Sequence, residues 1–341
     1  MTYLSRSSNF FSARRRTVLA LAAGSAAGLA AAGPDLSQVT LTVGTPNKTG
    51  LHRQLLASGE AEGAPYKIRW ADFDSTPPLI EALRAGYVDI SAGGETGLFF
   101  GIANGVKASI LAATVERGES GSAILVRKDS PLKTVADLRG RKIALPYFTK
   151  QHYQLARALE QAGVPWDEKL ILRLNTTDGL SALVNGQVEA FVVWDPNAAI
   201  AETQHGARVL QPLKAVVDAP GVLYAPDSSL QDPVRKAALA DLVRRIIRAQ
   251  AWVLAHPKEW SEQVARLSQI SIEAARLSTS RSSQAYAPAD DPATLAAWQQ
   301  QIDFFAAGGQ FRKPFKVADH VARDFSPIVP QESASVAQSA R

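Results

Sequence analysis

Several polar stretches, each directly after an apolar run of the chain, carry side chains that can bind a small molecule. Lys48, Lys150 and His152 offer positive charge or hydrogen-bond donors to an anion. Trp194 and Asp195 place an aromatic ring beside a carboxylate, a pair that can stack on a ligand and orient it. This set of groups indicates binding through charge, hydrogen bonds and stacking.

Each of these residues also has a purely structural interpretation, which the sequence leaves open. Lys48 and its neighbour Asn47 can belong to an ordinary turn. His152 can be a partly buried histidine with satisfied hydrogen bonds. Trp194 can pack in a core while Asp195 caps the helix that follows, and Asp195 can do both.

The residue content gives little support to catalysis. The chain has no cysteine, which excludes a thiol nucleophile and thiolate metal ligands. Its five histidines are scattered, and no G-x-S-x-G pattern of a serine hydrolase occurs. The sequence therefore predicts a protein that binds its ligand without chemistry and needs no cofactor or metal ion.

Two copies of one sequence pattern, offset by 100 residues, provide the framework for the polar stretches. Residues 82–97 and 182–196 share a helical segment, a glycine stop (Gly86 and Gly186) and an apolar strand. With the residues before them, both copies predict strand, helix cap, short helix and second strand. Because ligands of open α/β sheets bind at the carboxyl ends of strands, the repeat predicts two similar α/β lobes facing one cleft. A chance recurrence of helix-glycine-strand units is the alternative.

The N-terminal segment, residues 1–32, has the pattern of a signal peptide. Arg14–Arg16 precede the small-residue apolar run Thr17–Ala32, which ends in an A-x-A cleavage pattern. The arginines resemble a twin-arginine signal, and an N-terminal membrane anchor is the alternative. Without this segment, the chain has 33 basic and 32 acidic residues and is almost neutral. The formal charge of +5 therefore does not indicate nucleic-acid binding.

Length and cysteine content complete the expectation for the exported protein. A chain of 341 residues with 46% hydrophobic residues is expected to form two packed domains. No cysteine is present at the cleavage site to carry a lipid. We therefore expect a soluble periplasmic protein that is not a lipoprotein, with a disordered tail over the small and polar residues 331–341.

Three segments of the sequence resemble a known protein family: residues 82–97 (ALRAGYVDISAGGETG), 124–146 (ILVRKDSPLKTVADLRGRKIALP) and 185–197 (NGQVEAFVVWDPN). They are similar to the periplasmic solute-binding proteins of ABC importers for aliphatic sulfonates, taurine and nitrate-like anions, with the aliphatic sulfonate branch most similar. The resemblance spans roughly residues 39–320. Branches of this family that are enzymes rely on cysteines, which this chain lacks.

The resemblance implies a type II periplasmic-binding-protein fold, an α/β fold of two lobes with a ligand cleft between them and two hinge crossovers. Lobe one is expected at residues 38–124 and 225–330, and lobe two at 125–224, with crossovers near Ser122–Val126 and Leu223–Ala225. A small organic anion closes the lobes, and the closed monomer docks on an ABC permease that works with an ATPase. Aliphatic sulfonates are the first expectation, with taurine and nitrate as alternatives.

The resemblance also assigns ligand contacts to the polar stretches, position by position. The expected contacts are Asn47, Lys48, Thr49, Gly94, Glu95, Thr96, Thr149, Lys150, Gln151, His152, Trp194 and Asp195. Two features depart from the sulfonate pattern: residues 146–153 (PYFTKQHY) are bulkier than a Ser/Gly-rich loop, and Glu95 replaces a shorter residue. A carboxylate facing a sulfonate is unfavourable unless the ligand also carries a cation or Glu95 points elsewhere.

Overall fold

The computed structural model describes residues 34–46, 49–116, 118, 121–282, 284–311 and 313–339. The predicted signal peptide, with its arginines, lies outside these residues. The strands that the structure describes form two sheets. The strands, in chain order, are β1 (Thr40–Thr45), β2 (Lys67–Asp72), β3 (Ile90–Gly93), β4 (Ala108–Glu116), β5 (Ala123–Val126), β6 (Ile143–Leu145), β7 (Ile171–Arg173), β8 (Ala190–Val193), β9 (Arg208–Pro212), β10 (Gly221–Pro226) and β11 (Gln284–Ala287).

The first sheet has the strand order β11-β4-β10-β3-β1-β2, and the second has the order β7-β6-β8-β5-β9. In the first sheet β1 runs parallel to β2 and β3, while β10 is antiparallel to both β3 and β4. The second sheet repeats this plan, because β6 is parallel to β7 and β8, and β5 is antiparallel to β8 and β9. Each sheet is therefore a parallel α/β core extended by antiparallel strands.

Helices connect the strands and cover the sheets. They are α1 (Leu51–Ala57), α2 (Thr76–Arg84), α3 (Glu95–Ala103), α4 (Lys150–Gln161), α5 (Thr176–Val184), α6 (Asn197–His205), α7 (Asp227–Gln231), α8 (Pro233–Ala255), α9 (Pro257–Ser268), α10 (Ile272–Arg281), α11 (Pro292–Ala307) and α12 (Ile328–Ser339). Among the described residues, no helix is both long and apolar enough to cross a bilayer.

The predicted repeat is confirmed as β2-α2-β3 in one sheet and β7-α5-β8 in the other. Helix α5 begins after Asn175, whose side chain accepts a hydrogen bond from the backbone N–H of Asp178. After each helix the chain turns at a glycine with positive φ, 77° at Gly86 and 70° at Gly186. A residue without Cβ adopts this left-handed conformation at no steric cost, which explains why the glycines recur at equal positions.

The first sheet is buried between two helix layers. On one face Leu41 and Val43 of β1 pack in one cluster with Leu239 and Leu242 of α8. On the other face α3 packs with α11, and the cluster includes the fully buried Trp298. The second sheet is covered in the same way by α4 on one face and by α5 and α6 on the other. These layers hold the strand ends, and the loops that follow them, in fixed positions.

The predicted boundaries between the lobes are a few residues too late. Residues 123 and 124, assigned to lobe one, belong to β5 and pair in the second sheet. Residues 221–224, assigned to lobe two, belong to β10 and pair in the first sheet. The chain therefore passes between the sheets before each of these strands. An apolar run predicts a strand, but it does not show which sheet the strand joins.

The predicted disordered tail is also wrong over much of its length, because α12 continues to Ser339. Glu332 on this helix accepts a hydrogen bond from Nη1 of Arg248 at 2.9 Å. Ile328 and Val329 at its start are buried beside the core of the first sheet. The anchoring contacts come from α8, far away in the sequence, so the composition of the tail did not indicate them.

Candidate functional site

A cavity of about 180 Å³ lies between the two sheets. Pro46, Gly94 and Glu116 line it at the ends of β1, β3 and β4, and Trp194 lines it at the end of β8. The carboxyl ends of strands from both sheets thus meet across one space. Since a cavity of about 150 Å³ can hold one benzene molecule, this volume suits a small organic ligand.

Most of the predicted contact residues that the structure describes line this cavity. They are Thr49, Gly94, Thr149, Lys150, Gln151, Trp194 and Asp195. Glu95, Thr96 and His152 are buried but do not line it. Asn47 and Lys48 lie outside the described residues. The polar stretches of the two lobes are therefore brought together, although not every residue in them faces the same space.

Three helices begin at the cavity wall. Gly50, Gly94 and Thr149 line the cavity and are the N-cap residues of α1, α3 and α4. The first N–H groups of a helix have no partner within it, and the helix dipole gives this end a partial positive charge. The cavity therefore offers several electropositive helix ends to an anionic group.

Lys150 is the first residue of α4, and it bridges the two lobes. Its Nζ lies 3.4 Å from Oε1 of Glu116 at the end of β4 in the first sheet. Only 9% of the Lys150 side chain and 13% of the Glu116 side chain are exposed. Burial alone lowers the pKa of Lys150, but the carboxylates of Glu116, Glu95 and Asp218 outweigh it and raise the pKa. Lys150 is therefore a permanent cation in the cavity wall.

Gly94 makes the close contact between α3 and α4 possible. A Cβ at this position would lie 2.9 Å from the Cβ of Lys150 and 3.3 Å from its backbone nitrogen. The φ of −66° at Gly94 is accessible to any residue, so the need for glycine comes from the neighbouring lobe and not from local strain. The two lobes touch at the point where the lysine enters the cavity.

Glu95 points away from the cavity, into the packing of α3 against α11. Its Oε1 accepts a hydrogen bond from Nε2 of Gln301 at 3.0 Å, and the same nitrogen donates to the hydroxyl of Thr96 at 2.7 Å. Burial raises the pKa of Glu95 to about 7, against the opposing effect of the nearby Lys150 ammonium. The conflict expected from a carboxylate facing a sulfonate is thus avoided by the orientation of Glu95.

His152 lies in an aromatic cluster between the lobes, and it is fully buried without the satisfied hydrogen bonds that its structural interpretation required. Its ring stacks on Tyr147 at 4.0 Å between centroids and lies 5.2 Å from the ring of Phe305 on α11. Neither ring nitrogen has a hydrogen-bond partner among the residues described. Burial lowers the pKa of His152 to about 3. The imidazole is therefore neutral and acts as a packing group.

Asp195 caps a helix and also lines the cavity. Its Oδ1 accepts a hydrogen bond from the backbone N–H of Ala199 in the first turn of α6 at 3.0 Å. Burial raises the pKa of Asp195 to about 6, although Arg281 lies 3.7 Å away. Gly121 packs directly against this carboxylate and leaves no room for a Cβ. Of the two interpretations that the sequence left open, helix capping is the one with a hydrogen bond to support it.

The sequence did not identify two charged residues of the cavity. Glu116, the last residue of β4, bonds Lys150 across the lobes. Arg281, the last residue of α10, lines the cavity and makes two hydrogen bonds to Glu202. The partners, Lys150 and Glu202, lie in the second lobe, far from Glu116 and Arg281 in the sequence. Nothing in the local sequence therefore indicates these contacts.

Gln250 is a further cavity residue that the sequence reading missed. It lies on α8 and is buried. Its helical spacing places it on the same apolar face as Val243, Ile246 and Val253. A polar residue on an otherwise apolar helix face is the feature of the sequence that indicates Gln250, since buried polar groups need a partner.

Comparison with known proteins identifies a family and a fold. The family described as "NMT1/THI5 like" matches residues 75–260. A putative aliphatic sulfonates-binding protein of Escherichia coli is 37% identical over 146 residues, which are 42% of this chain and 45% of that protein. The chain thus spans less than half the length of this curated relative.

Two solved structures share the fold. The periplasmic aliphatic sulphonate binding protein of Escherichia coli superposes with a TM-score of 0.74 at 24% identity, over 85% of this chain and 99% of that one. The alkanesulfonate-binding protein of Xanthomonas axonopodis pv. citri, bound to MOPS, superposes with a TM-score of 0.77 at 23% identity, over the same shares. The prediction of an α/β periplasmic-binding-protein fold is confirmed.

Proposed function

Since the chain belongs to the NMT1/THI5-like family, we propose that it is the solute-binding component of an ABC importer. It captures a small organic anion, an aliphatic sulfonate or a related organosulfur compound, and delivers it to the permease by hinge closure. The curated relative and the two solved structures that bind sulfonates support this ligand class. Taurine and nitrate are the alternative ligands.

The observation that carries the proposal is the position of Lys150. This buried ammonium group enters a cavity between two lobes, beside the N-terminal ends of α1, α3 and α4. A sulfonate has three oxygen acceptors around one negative charge, and converging N–H donors with one cation complement such a group. Because the donors come from both lobes, an anion that bonds them all also holds the lobes together.

The proposal includes binding without catalysis. The sequence contains no cysteine that could act as a nucleophile. His152, the histidine predicted as a ligand contact, is buried in an aromatic cluster and neutral. We further propose that the protein is exported to the periplasm as a soluble monomer without a lipid anchor, and that its partner is an inner-membrane permease with its ATPase.

A thermal-shift panel with the exported protein tests this function. The ligands are ethanesulfonate, longer alkanesulfonates, an aromatic sulfonate, taurine, a sulfate ester, nitrate and bicarbonate. A ligand at about 100 times its Kd adds roughly 2.7 kcal/mol of stability, which raises the Tm by a few degrees. We expect a selective shift with one class of sulfonate, and its loss in Lys150→Ala. No shift with any sulfonate would refute the ligand assignment.

A further inference from the structure

Among the described residues that line the cavity, there are as many carboxylates as cations. Among the described residues that line it, Lys150 and Arg281 are the cations, and Glu116 and Asp195 are the acids. Directly behind this wall, Glu202 bonds Arg281 and adds a further carboxylate. In the part of the chain that the structure describes, a site that takes an anion thus carries at least as much negative charge as positive charge.

Each of the two cations that line the cavity is paired with an acid from the other lobe. Lys150 pairs with Glu116 at 3.4 Å. Arg281 makes two hydrogen bonds to Glu202, at 2.7 and 2.9 Å, and lies 3.7 Å from Asp195. Lys214, whose Nζ donates to the backbone oxygen of Glu116 at 2.7 Å, has its own acid in Asp218 at 3.9 Å. Each of these described cations is therefore shared with a carboxylate, and an anionic ligand has to share it as well.

The charge balance has a consequence for the ligand. A ligand with one negative charge can approach Lys150 and share its ammonium with Glu116, aided by the helix N-termini. A dianion brings a second negative charge to within a few ångströms of the Glu116 carboxylate. Coulomb repulsion at about 5 Å with an effective dielectric constant of about 20 makes the binding constant for this second charge roughly 100-fold or more lower than it would be without the charge of Glu116.

We propose that Glu116 is a specificity-determining residue that restricts the site to monoanions and zwitterions and excludes dianions such as sulfate. The inference rests on the proposed function, because it concerns the selectivity of the same cavity. It separates organic sulfonates from inorganic sulfate, which presents the same oxygen atoms with one more charge. Recognition of the SO₃ group by N–H donors alone does not make this distinction, whereas a fixed carboxylate beside the lysine does.

Isothermal titration calorimetry on the exported protein tests the proposal, with ethanesulfonate, taurine and sulfate as probes at one ionic strength. The variants are Glu116→Gln, which removes the charge, and Glu116→Asp, which keeps it. Glu81→Gln is the matched control, because this exposed glutamate pairs with Arg84 on α2 and does not line the cavity. Circular dichroism checks that each variant is folded.

We expect the wild type to bind ethanesulfonate or taurine at least about 100-fold more tightly than sulfate. Glu116→Gln should reduce this ratio at least about tenfold, while Glu116→Asp and Glu81→Gln should keep it. An unchanged ratio in Glu116→Gln, or equal affinities for sulfate and sulfonate in the wild type, would overturn the proposal. If Glu116→Gln does not fold, the proposal is judged on the wild type and Glu116→Asp. Both must bind ethanesulfonate or taurine at least about 100-fold more tightly than sulfate, and a smaller ratio in either overturns the proposal.

The two proposals fail in different ways. If neither sulfonate binds but Glu116→Gln binds sulfate at least tenfold more tightly than the wild type does, the ligand assignment falls. The proposed exclusion of dianions by Glu116 then stands. If sulfonates bind and Glu116→Gln leaves the ratio of sulfonate to sulfate affinity unchanged, only the proposed exclusion of dianions by Glu116 falls. If none of the three probes binds any of the variants, both proposals fall.

Discussion

Arg281 and Glu202 form a two-pronged salt bridge between helices of different lobes. Nη1 and Nη2 of the arginine on α10 donate to Oε1 and Oε2 of the glutamate on α6, at 2.7 and 2.9 Å. The side chains are 17% and 19% exposed. Helix α10 packs with the first sheet's helices and α6 covers the second sheet, so this pair forms only when the lobes are together.

Loss of this salt bridge is expected to favour the open arrangement of the lobes. Glu202→Gln removes one charge of a largely buried, bidentate pair, which costs about 1 to 3 kcal/mol. We expect a larger radius of gyration in small-angle X-ray scattering without ligand, and weaker ligand binding through faster dissociation. The control is Glu160→Gln, whose partner Arg157 lies on the same helix. An unchanged radius and an unchanged dissociation rate would show that the pair does not hold the lobes together.

Gly94→Ala is expected to weaken ligand binding about 10- to 100-fold. The new Cβ would lie 2.9 Å from the Cβ of Lys150, so α4 must move away from the cavity. Overpacking of this kind costs about 1 to 3 kcal/mol, which the protein avoids by opening. Titration calorimetry with the ligand from the thermal-shift panel measures the effect. Gly308→Ala is the control, because a Cβ there meets only ordinary contacts at 3.6 Å or more. Equal affinities of the two variants would contradict the prediction.

Glu95 is expected to make the folded protein less stable as the pH rises. Its pKa is raised from 4.5 to about 7, so between these values the folded state keeps a proton that the unfolded chain has lost. The contribution is fully present below pH 4.5 and decreases as the pH approaches 7, by roughly 3 kcal/mol at most. Urea unfolding at pH 5 and pH 8 measures this difference.

Glu95→Gln should flatten that pH dependence, because a neutral amide cannot ionise and can still accept from Gln301. Asp195, whose pKa is raised to about 6, acts in the same direction and remains in the variant. The free energy of unfolding of Glu95→Gln is therefore still expected to decrease somewhat as the pH rises. The exposed Glu81→Gln should leave the wild-type profile unchanged. A Glu95→Gln profile identical to that of the wild type would mean that the carboxyl does not hold its proton.

His152→Phe is expected to keep or raise stability and to leave ligand affinity unchanged. The imidazole is fully buried, and both ring nitrogens lack a partner among the described residues, so removal of its polar atoms has no hydrogen bond to break. An aromatic ring preserves the stacking on Tyr147. His152→Ala, in contrast, leaves a cavity and should lose about 2 to 4 kcal/mol. A loss of ligand binding in His152→Phe with an unchanged Tm would restore the contact role predicted for this residue.

The strand-helix-strand repeat could be predicted from the sequence because its causes are local. Alternation of apolar residues, a capping side chain such as Asn175 and glycines with positive φ act within a few residues of one another. For the same reason the polar stretches after the strands were found, and most of the predicted residues that the structure describes line the cavity. The chain order of these stretches is enough to bring them to one edge of each sheet.

The direction and partner of each side chain depend on contacts between distant residues. Glu95 and Thr96 turn toward Gln301 because α11 covers α3, and no residue near them in the chain indicates that contact. Glu116 meets Lys150, and Arg281 meets Glu202, only when the two lobes approach. Local patterns therefore determined the elements and the location of the site. The packing of α3, α10 and α11 against the second lobe decided which of its charged groups face the ligand and which neutralise one another.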